Sequence, residues 1–168
     1  MANKIVGRML ALAMLTAAGS VAADARAESP IEHGKYLVGI MDCTGCHTTG
    51  ALAGQPDSTH FLAGSDIGFE IPGLGIFYPP NLTPDGKTGL GTWSEQDIVA
   101  ALRTGLRPDG RELAPAMPWR SYAKLTDADV QAVAAYLKSL QPVEHAAPAP
   151  AGASEKAPAP YLTVAVPD

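Results

Sequence analysis

Large aromatic side chains are scarce in this chain: three Phe, five Tyr and two Trp stand beside 17 Gly and 15 Pro. A fold with so few rings and so many loop residues needs something else to fill its centre. Basic residues are short as well, 12 Lys plus Arg against 17 Asp plus Glu, for a net charge of -5. Such a surface argues against a nucleic-acid phosphate backbone as partner and leaves basic partners open. No apolar run reaches the roughly 20 residues of a membrane-spanning helix. At 168 residues, 46% hydrophobic and 17% charged, the composition is that of one soluble globular domain and not of a disordered polymer.

The N-terminus has its own pattern. Lys4 and Arg8 precede an apolar stretch over 9–23, and small residues then suit cleavage after Ala23 or Ala27. This is the layout of a secretory signal, so residues 1–27 are set apart from the fold and a periplasmic location is expected. A retained anchor is the alternative, for which the run is short. Cutting after Ala27 removes three basic residues and one acidic one, leaving nine against sixteen and a net charge of -7.

Cysteine is almost missing, and an exported pair would ordinarily close into a disulfide. The spacing of these two says otherwise. Cys43-Thr44-Gly45-Cys46-His47 is the C-x-x-C-H attachment sequence for c-type haem. Two thiols one helical turn apart reach one edge of the macrocycle as thioethers, and the adjacent imidazole is held beside iron at high effective concentration. A thioredoxin-like dithiol would need a strand and a βαβ pattern around it, and a zinc site would need further ligands at suitable spacing. Neither context is present.

A six-coordinate iron needs a second axial ligand. Met1, Met9 and Met14 leave with the signal, and Met41 lies just before the motif on the same helical segment. Met117 remains, in Ala114-Pro115-Ala116-Met117-Pro118-Trp119, where the prolines fix φ and hold an extended loop that presents one side chain. His33, His60 and His145 are its rivals.

These residues resemble class I cytochromes c. The likeness rests on the Cys43 to His47 motif, the Pro80-Asn81-Leu82 step, the Met117 loop and a final helix ending Val133-Ala134-Ala135-Tyr136-Leu137. The stretch from Tyr78 to Asp85, followed by Thr88 to Ser94, is similar to cytochrome subunits that take electrons from bacterial periplasmic or membrane-bound dehydrogenases. Many of those subunits carry three attachment motifs; this chain carries one and corresponds to a single module spanning about residues 30–142. The resemblance implies an all-α fold of about four short helices around one haem bound through Cys43 and Cys46. It also implies that the Pro80 carbonyl accepts a hydrogen bond from His47 Nδ1, orienting the axial ring; the alternative is a proline that only stiffens a turn.

Along the chain, Ser29-Pro30 starts a helix over 31–42 with Ile31, Val38 and Met41 among its apolar positions. Gly34 and Gly39 weaken it by roughly 1 kcal/mol each, so a packing reason is expected; the resemblance implies terminal helices that cross closely, with contact expected near Tyr136. Residues 48–92 form a long connection with a small β-hairpin expected inside 67–78 around Pro72-Gly73. Ser94 caps a helix that buries Ile98, Val99 and Leu102 and ends at Gly105. Thr126 caps another, in which Val130, Val133, Ala134 and Leu137 keep helical spacing to about Leu140. Residues 28–142 are thus the cytochrome domain. Residues 143–168 read as an Ala/Pro-rich flexible tail outside it, whose apolar end at 161–166 docks somewhere or frays.

The expected function is single-electron transfer by a mono-haem cytochrome, with both axial positions filled and no acid/base pair for catalysis. The resemblance implies a dehydrogenase as donor and a respiratory oxidase or further cytochrome as acceptor. Trp93 and one of Arg107, Arg111 or Arg120 are candidates to bind the haem propionates. A haem-based ligand sensor or peroxidase-like enzyme with a labile Met117, or an anchoring subunit of a larger enzyme, are the competing readings.

Overall fold

The computed structural model describes residues 28–167, so the expected signal and its cleavage points lie outside the described residues. Five helices carry the architecture: α1 (Pro30–Ile40), α2 (Cys43–His47), α3 (Glu95–Thr104), α4 (Trp119–Tyr122) and α5 (Asp127–Ser139). The three long ones begin with the same device. Ser29, Ser94 and Thr126 each accept a hydrogen bond from the backbone three residues on, and Glu32, Asp97 and Asp129 reach back to the cap. Each pair satisfies two N–H groups that a helix start would otherwise leave orphaned. α3 closes at Gly105, as its sequence signals, and α5 stops just before Leu140.

α1 lies across α5 at backbone contact. A Cβ added to Gly34 would collide with the Ala132 carbonyl oxygen and sit 2.8 Å from Tyr136 Cβ, so the expected crossing near Tyr136 is where the missing side chain is needed. Gly39 needs no such explanation, because nothing lies within 4 Å of its added Cβ. Ile31, one of the apolar positions named for this helix, is 47% exposed. Leu37 and Val38 of α1, Ile98 and Leu102 of α3, and Val130, Val133, Ala134 and Leu137 of α5 form one core. Each large side chain buried there contributes about 1.5–3 kcal/mol. Polar ties bind the rim: His33 Nε2 meets Asp129 Oδ1 at 2.7 Å, joining α1 to α5, and Arg103 joins α3 to the start of α5 through Asp127.

The all-α expectation is too narrow. The predicted hairpin is present as β1 (Gly68–Ile71) and β2 (Gly75–Phe77), paired antiparallel with Phe69 opposite Phe77. It is the centre of a four-stranded mixed sheet completed by β3 (Ala151–Gly152) and β4 (Tyr161–Leu162), in the order β3-β2-β1-β4. Those outer strands come from the segment expected to be a flexible tail outside the domain. That expectation is corrected: β3 pairs with β2, β4 runs parallel to β1, and the Tyr78 hydroxyl donates to the Ala159 carbonyl at 2.7 Å. An Ala/Pro segment has little side chain to bury, yet its carbonyls are ordinary acceptors, and this one is held through its backbone.

Gly34→Ala is expected to destabilise the protein by about 1–3 kcal/mol by forcing the helices apart, whereas Gly39→Ala gains up to about 1 kcal/mol. Thermal melts followed by far-ultraviolet circular dichroism check the opposite signs. A second prediction concerns pH. The hydrogen bond to Asp129 raises the His33 pKa above its ordinary 6.5, and the same contact lowers Asp129 below 3.8. The histidine's share of stability is full below 6.5 and fades as pH rises through its raised value. The aspartate's share is full above 3.8 and fades on acidification through its lowered value. The stability lost in His33→Gln is therefore expected to be largest between about pH 4 and 6.5 and to shrink on either side, as melts across pH would show.

Candidate functional site

The attachment motif follows α1 with almost no linker. Met41 ends α1, and Asp42 then takes a left-handed conformation, φ 54°, which turns the chain directly into α2. Asp is among the residues that tolerate this region. Its carboxylate folds over Gly45, so a side chain at the second variable position of the motif would require the Asp42 carboxylate to swing away. Cys43 and Cys46 are unjoined thiols, Cys43 buried and Cys46 half-buried. Burial pushes the Cys43 thiol up to about 11 and raises Cys46 as well, so both are protonated at neutral pH.

His47 is buried, and that burial lowers its pKa, only partly offset by its hydrogen bond to Pro80. Its Nδ1 lies 2.7 Å from the Pro80 carbonyl oxygen. A carbonyl can only accept, so Nδ1 carries the proton. In a neutral ring the lone pair is then on Nε2. This is the state of imidazole that ligates a metal, with its orientation fixed by the second nitrogen. The expected Pro80 contact is thus present in the geometry.

All seven candidate site residues border one cavity of about 650 Å³: Cys43, Cys46, His47, Pro80, Trp93, Arg111 and Met117. Its walls are mainly apolar, with Leu82, Leu90, Ile98, Leu102, Val133 and Leu137 from the helical core and Phe69 and Phe77 from the hairpin. Met117 arrives on the loop between α3 and α4, half-buried against the core. Arg107 also lines the space, its guanidinium 5.3 Å from the Trp93 ring centroid, while Arg120 does not; it lies over Trp119. His33, His60 and His145 are all absent from the lining. His33 is engaged with Asp129, and the rings of His60 and His145 pack on each other at 4.8 Å. None of the three rivals shares the cavity with His47.

Several contacts that shape the site were not expected from the sequence. Tyr122 of α4 lines the cavity and donates to the Met41 carbonyl at 2.8 Å, joining the segment after Met117 to the turn before Cys43. Burial pushes its phenol up to about 12, so it keeps the proton it donates. Lys138 of α5 sends its ammonium to the carbonyls of Leu90, Gly91 and Trp93 at 3.0, 3.2 and 2.8 Å, fixing the loop that carries Trp93. Asn81 is fully buried and bonds to the segment after α5. Ala146 to Pro150 of that segment line the cavity. Only distance in sequence hid these: each partner lies 45 or more residues away.

One helical turn bearing two thiols, a neutral imidazole with a free Nε2, and an apolar chamber that a thioether also borders together define a haem-binding protein. The donor set and the walls fit a covalently attached haem. Residues 31–141 match the cytochrome c family model. The chain belongs to the cytochrome c family, whose members carry electrons on covalently bound haem. It is 37% identical over 131 residues to the cytochrome c subunit of a quinone alcohol dehydrogenase of Gluconobacter oxydans, an alignment covering 77% of this chain and 26% of that protein. It is 41% identical over 122 residues to the cytochrome subunit of fructose dehydrogenase of Gluconobacter japonicus, covering 71% and 23%. The cytochrome c subunit of gluconate 2-dehydrogenase of Pantoea cypripedii aligns at 36% over 140 residues, covering 82% and 30%. The chain thus spans less than a third of the length of each of these relatives.

Lys138→Met keeps the stem of the side chain and removes its three donors. It is expected to destabilise the holoprotein by about 1–3 kcal/mol, because part-buried carbonyls lose a charged partner. Urea denaturation monitored by tryptophan fluorescence checks this, and Trp93 reports the loop directly.

Proposed function

We propose that this chain is a mono-haem, periplasmic electron carrier that takes single electrons from a dehydrogenase and hands them to a respiratory oxidase or another cytochrome. The observation that carries the reading is the state of His47: neutral, Nδ1 committed to Pro80, Nε2 free, and placed one residue from a thiol in a shared apolar cavity. Haem bound there supplies one-electron chemistry between ferric and ferrous iron.

The rest follows from the residues. Cys43 and Cys46 would hold the haem covalently; as protonated thiols they would need no oxidant, since addition of S–H to a vinyl group leaves sulfur on one carbon and hydrogen on the other. His47, through Nε2, and Met117, through its thioether, would be the protein groups that hold the iron. A thioether is a weaker donor than imidazole, and apolar walls disfavour the extra charge of the ferric state; both raise the potential. Trp93, Arg107 and Arg111 are the donors for the propionates. Arg107 is partly committed to Asp109 at 3.3 Å, while Arg111 forms no ion pair among the described residues, which favours Arg111 for this role. Held by these two residues, the group would carry electrons and break no substrate bond.

The dehydrogenase as donor is supported by the relatives, which are cytochrome subunits of such enzymes. Export is supported by the pattern of residues 1–27, and among the described residues no helix is long and apolar enough to cross a membrane.

The test is to produce the chain with a haem-attachment apparatus and measure haem per chain and the ferric spectrum. One haem and a low-spin spectrum with a methionine-iron band at the red end are expected. Met117→Ala should abolish that band, lower the potential and admit added imidazole; an unchanged spectrum would remove Met117 from the role.

A further inference from the structure

The family match ends at residue 141, yet the chain beyond it runs back over the cavity. Val143 and His145 are fastened by their backbone. Asn81 Nδ2 donates to the Val143 carbonyl at 2.7 Å and lies 3.3 Å from that of His145; the Val143 and His145 N–H groups donate to Thr83 Oγ1 and Thr88 Oγ1, each at 3.1 Å. The His145 ring adds a bond from Nδ1 to the Ala63 carbonyl at 2.9 Å. Further on, Ala151 is buried against Ile76 and Tyr78 and pairs in β3. The stretch between these two anchorages, Ala146 to Pro150, is the part that borders the cavity.

Asn81 is the next residue after Pro80, whose carbonyl accepts the hydrogen bond from His47 Nδ1. It is 1% exposed and every polar atom of its side chain is used, since Oδ1 accepts from both the N–H and the hydroxyl of Thr83 at 2.8 Å. A buried amide in a closed network has one low-energy orientation, and breaking one side of the network leaves polar atoms unpaired. The carbonyls of Val143 and His145 thus help fix the peptide segment on which the His47 orientation depends.

We propose that residues 143–150 form a strap that closes one side of the cavity and, through Asn81, holds the Pro80 carbonyl on His47. Asn81 is then a positioning residue: it acts on the imidazole through Pro80, and the strap acts through it. The role rests on the reading of His47 as the haem ligand. The consequence is that a segment outside the matched domain governs both the access of small ligands to the cavity and the rigidity of the proximal imidazole. Its composition suits the task. Alanine and proline bring short side chains to the wall, and proline withholds N–H groups that would otherwise need partners there.

The experiment uses the full-length holoprotein and two variants. Ala151→Asp places a carboxylate in the apolar anchor beyond the strap without altering a cavity-lining residue; Asn81→Ala removes the donors to Val143 and His145. Limited proteolysis reads whether residues 143–160 are released. Exchange of the His47 Nδ1 proton with water, by nuclear magnetic resonance, reads the hold on Pro80, and imidazole binding to the ferric protein, with parent and variants all compared in a Met117→Ala background that leaves the iron open, reads access. With haem content unchanged, release of the strap is expected to speed both proton exchange and imidazole binding by tenfold or more. If the strap is released and both rates stay at the parent values, the proposal is overturned. It is equally overturned if the segment stays protease-resistant in both variants, because these contacts would not then be what holds it. Should Ala151→Asp fail to fold, Asn81→Ala alone decides between these outcomes. Failure of the parent chain to take up haem would instead refute the functional reading, a result that the haem assay separates from the strap measurements.

Discussion

The contact between α1 and α5 at Gly34 is the constraint from which the site is built. Two helices whose backbones touch can have no side chain between them, so the remaining apolar residues of each must turn toward a third surface. Leu37 and Val38 fall on the shared core with α3, while Val133 and Leu137 reach the cavity. The crossing also sets where α1 ends. Because Asp42 reverses the chain at once, the position of α1 determines where Cys43, Cys46 and His47 stand. A shift of that crossing by one residue would carry the whole attachment turn away from the wall provided by α5.

The second constraint is electrostatic. His47 can serve as a ligand only while neutral, and burial provides this by penalising the imidazolium. Burial alone leaves the tautomer undecided. Pro80, having no N–H, presents only a carbonyl, and that carbonyl selects Nδ1 for the proton. The charges near the cavity follow a similar division. The chain is acidic overall, yet Lys87, Arg107 and Arg111 all border the cavity, and only Asp42 and Glu112 oppose them there. Of these, Lys87 is paired with Glu144 at 3.0 Å, so Arg107 and Arg111 are the cations that face the cavity most freely.

Much of this was legible in sequence because it depends on neighbours close along the chain. The capping boxes at Ser29, Ser94 and Thr126 span three residues, the attachment turn spans five, and the hairpin is announced by Pro72-Gly73 between apolar runs. Gly34 could be read because a glycine inside a helix demands a reason. Gly39 looked the same and had none, since its side of α1 faces open space. The strands β3 and β4 could not be read. Two residues cannot show a period of two, and Ala151-Gly152 has no β-branched side chain to mark it. The donors of Lys138 and Tyr122 were equally silent, because a lysine or a tyrosine on a helix face is ordinary until the carbonyls it meets are known.

Asn81 shows why the end of the chain was misjudged. Low hydrophobicity predicts disorder when burial of side chains is the only means of offsetting chain entropy. Here the side chains doing the ordering belong to the other partner. Asn81, Thr83 and Thr88 are polar residues already held in a tight loop, where Asp85 accepts from the N–H and hydroxyl of Thr88 at 2.7 Å. They present fixed donors and acceptors, so the segment arriving at Val143 and His145 needs only a peptide backbone to match them. Most of the ordering cost was met when the loop folded, and a sequence poor in anchors can then be held firmly. The same preorganisation suits the loop to carry Pro80, whose carbonyl lies 2.7 Å from His47 Nδ1 on a segment hydrogen-bonded on both sides. Ser65 N–H donating to the Pro79 carbonyl and Leu82 N–H donating to Leu62 hold it from one side, and the strap holds it from the other.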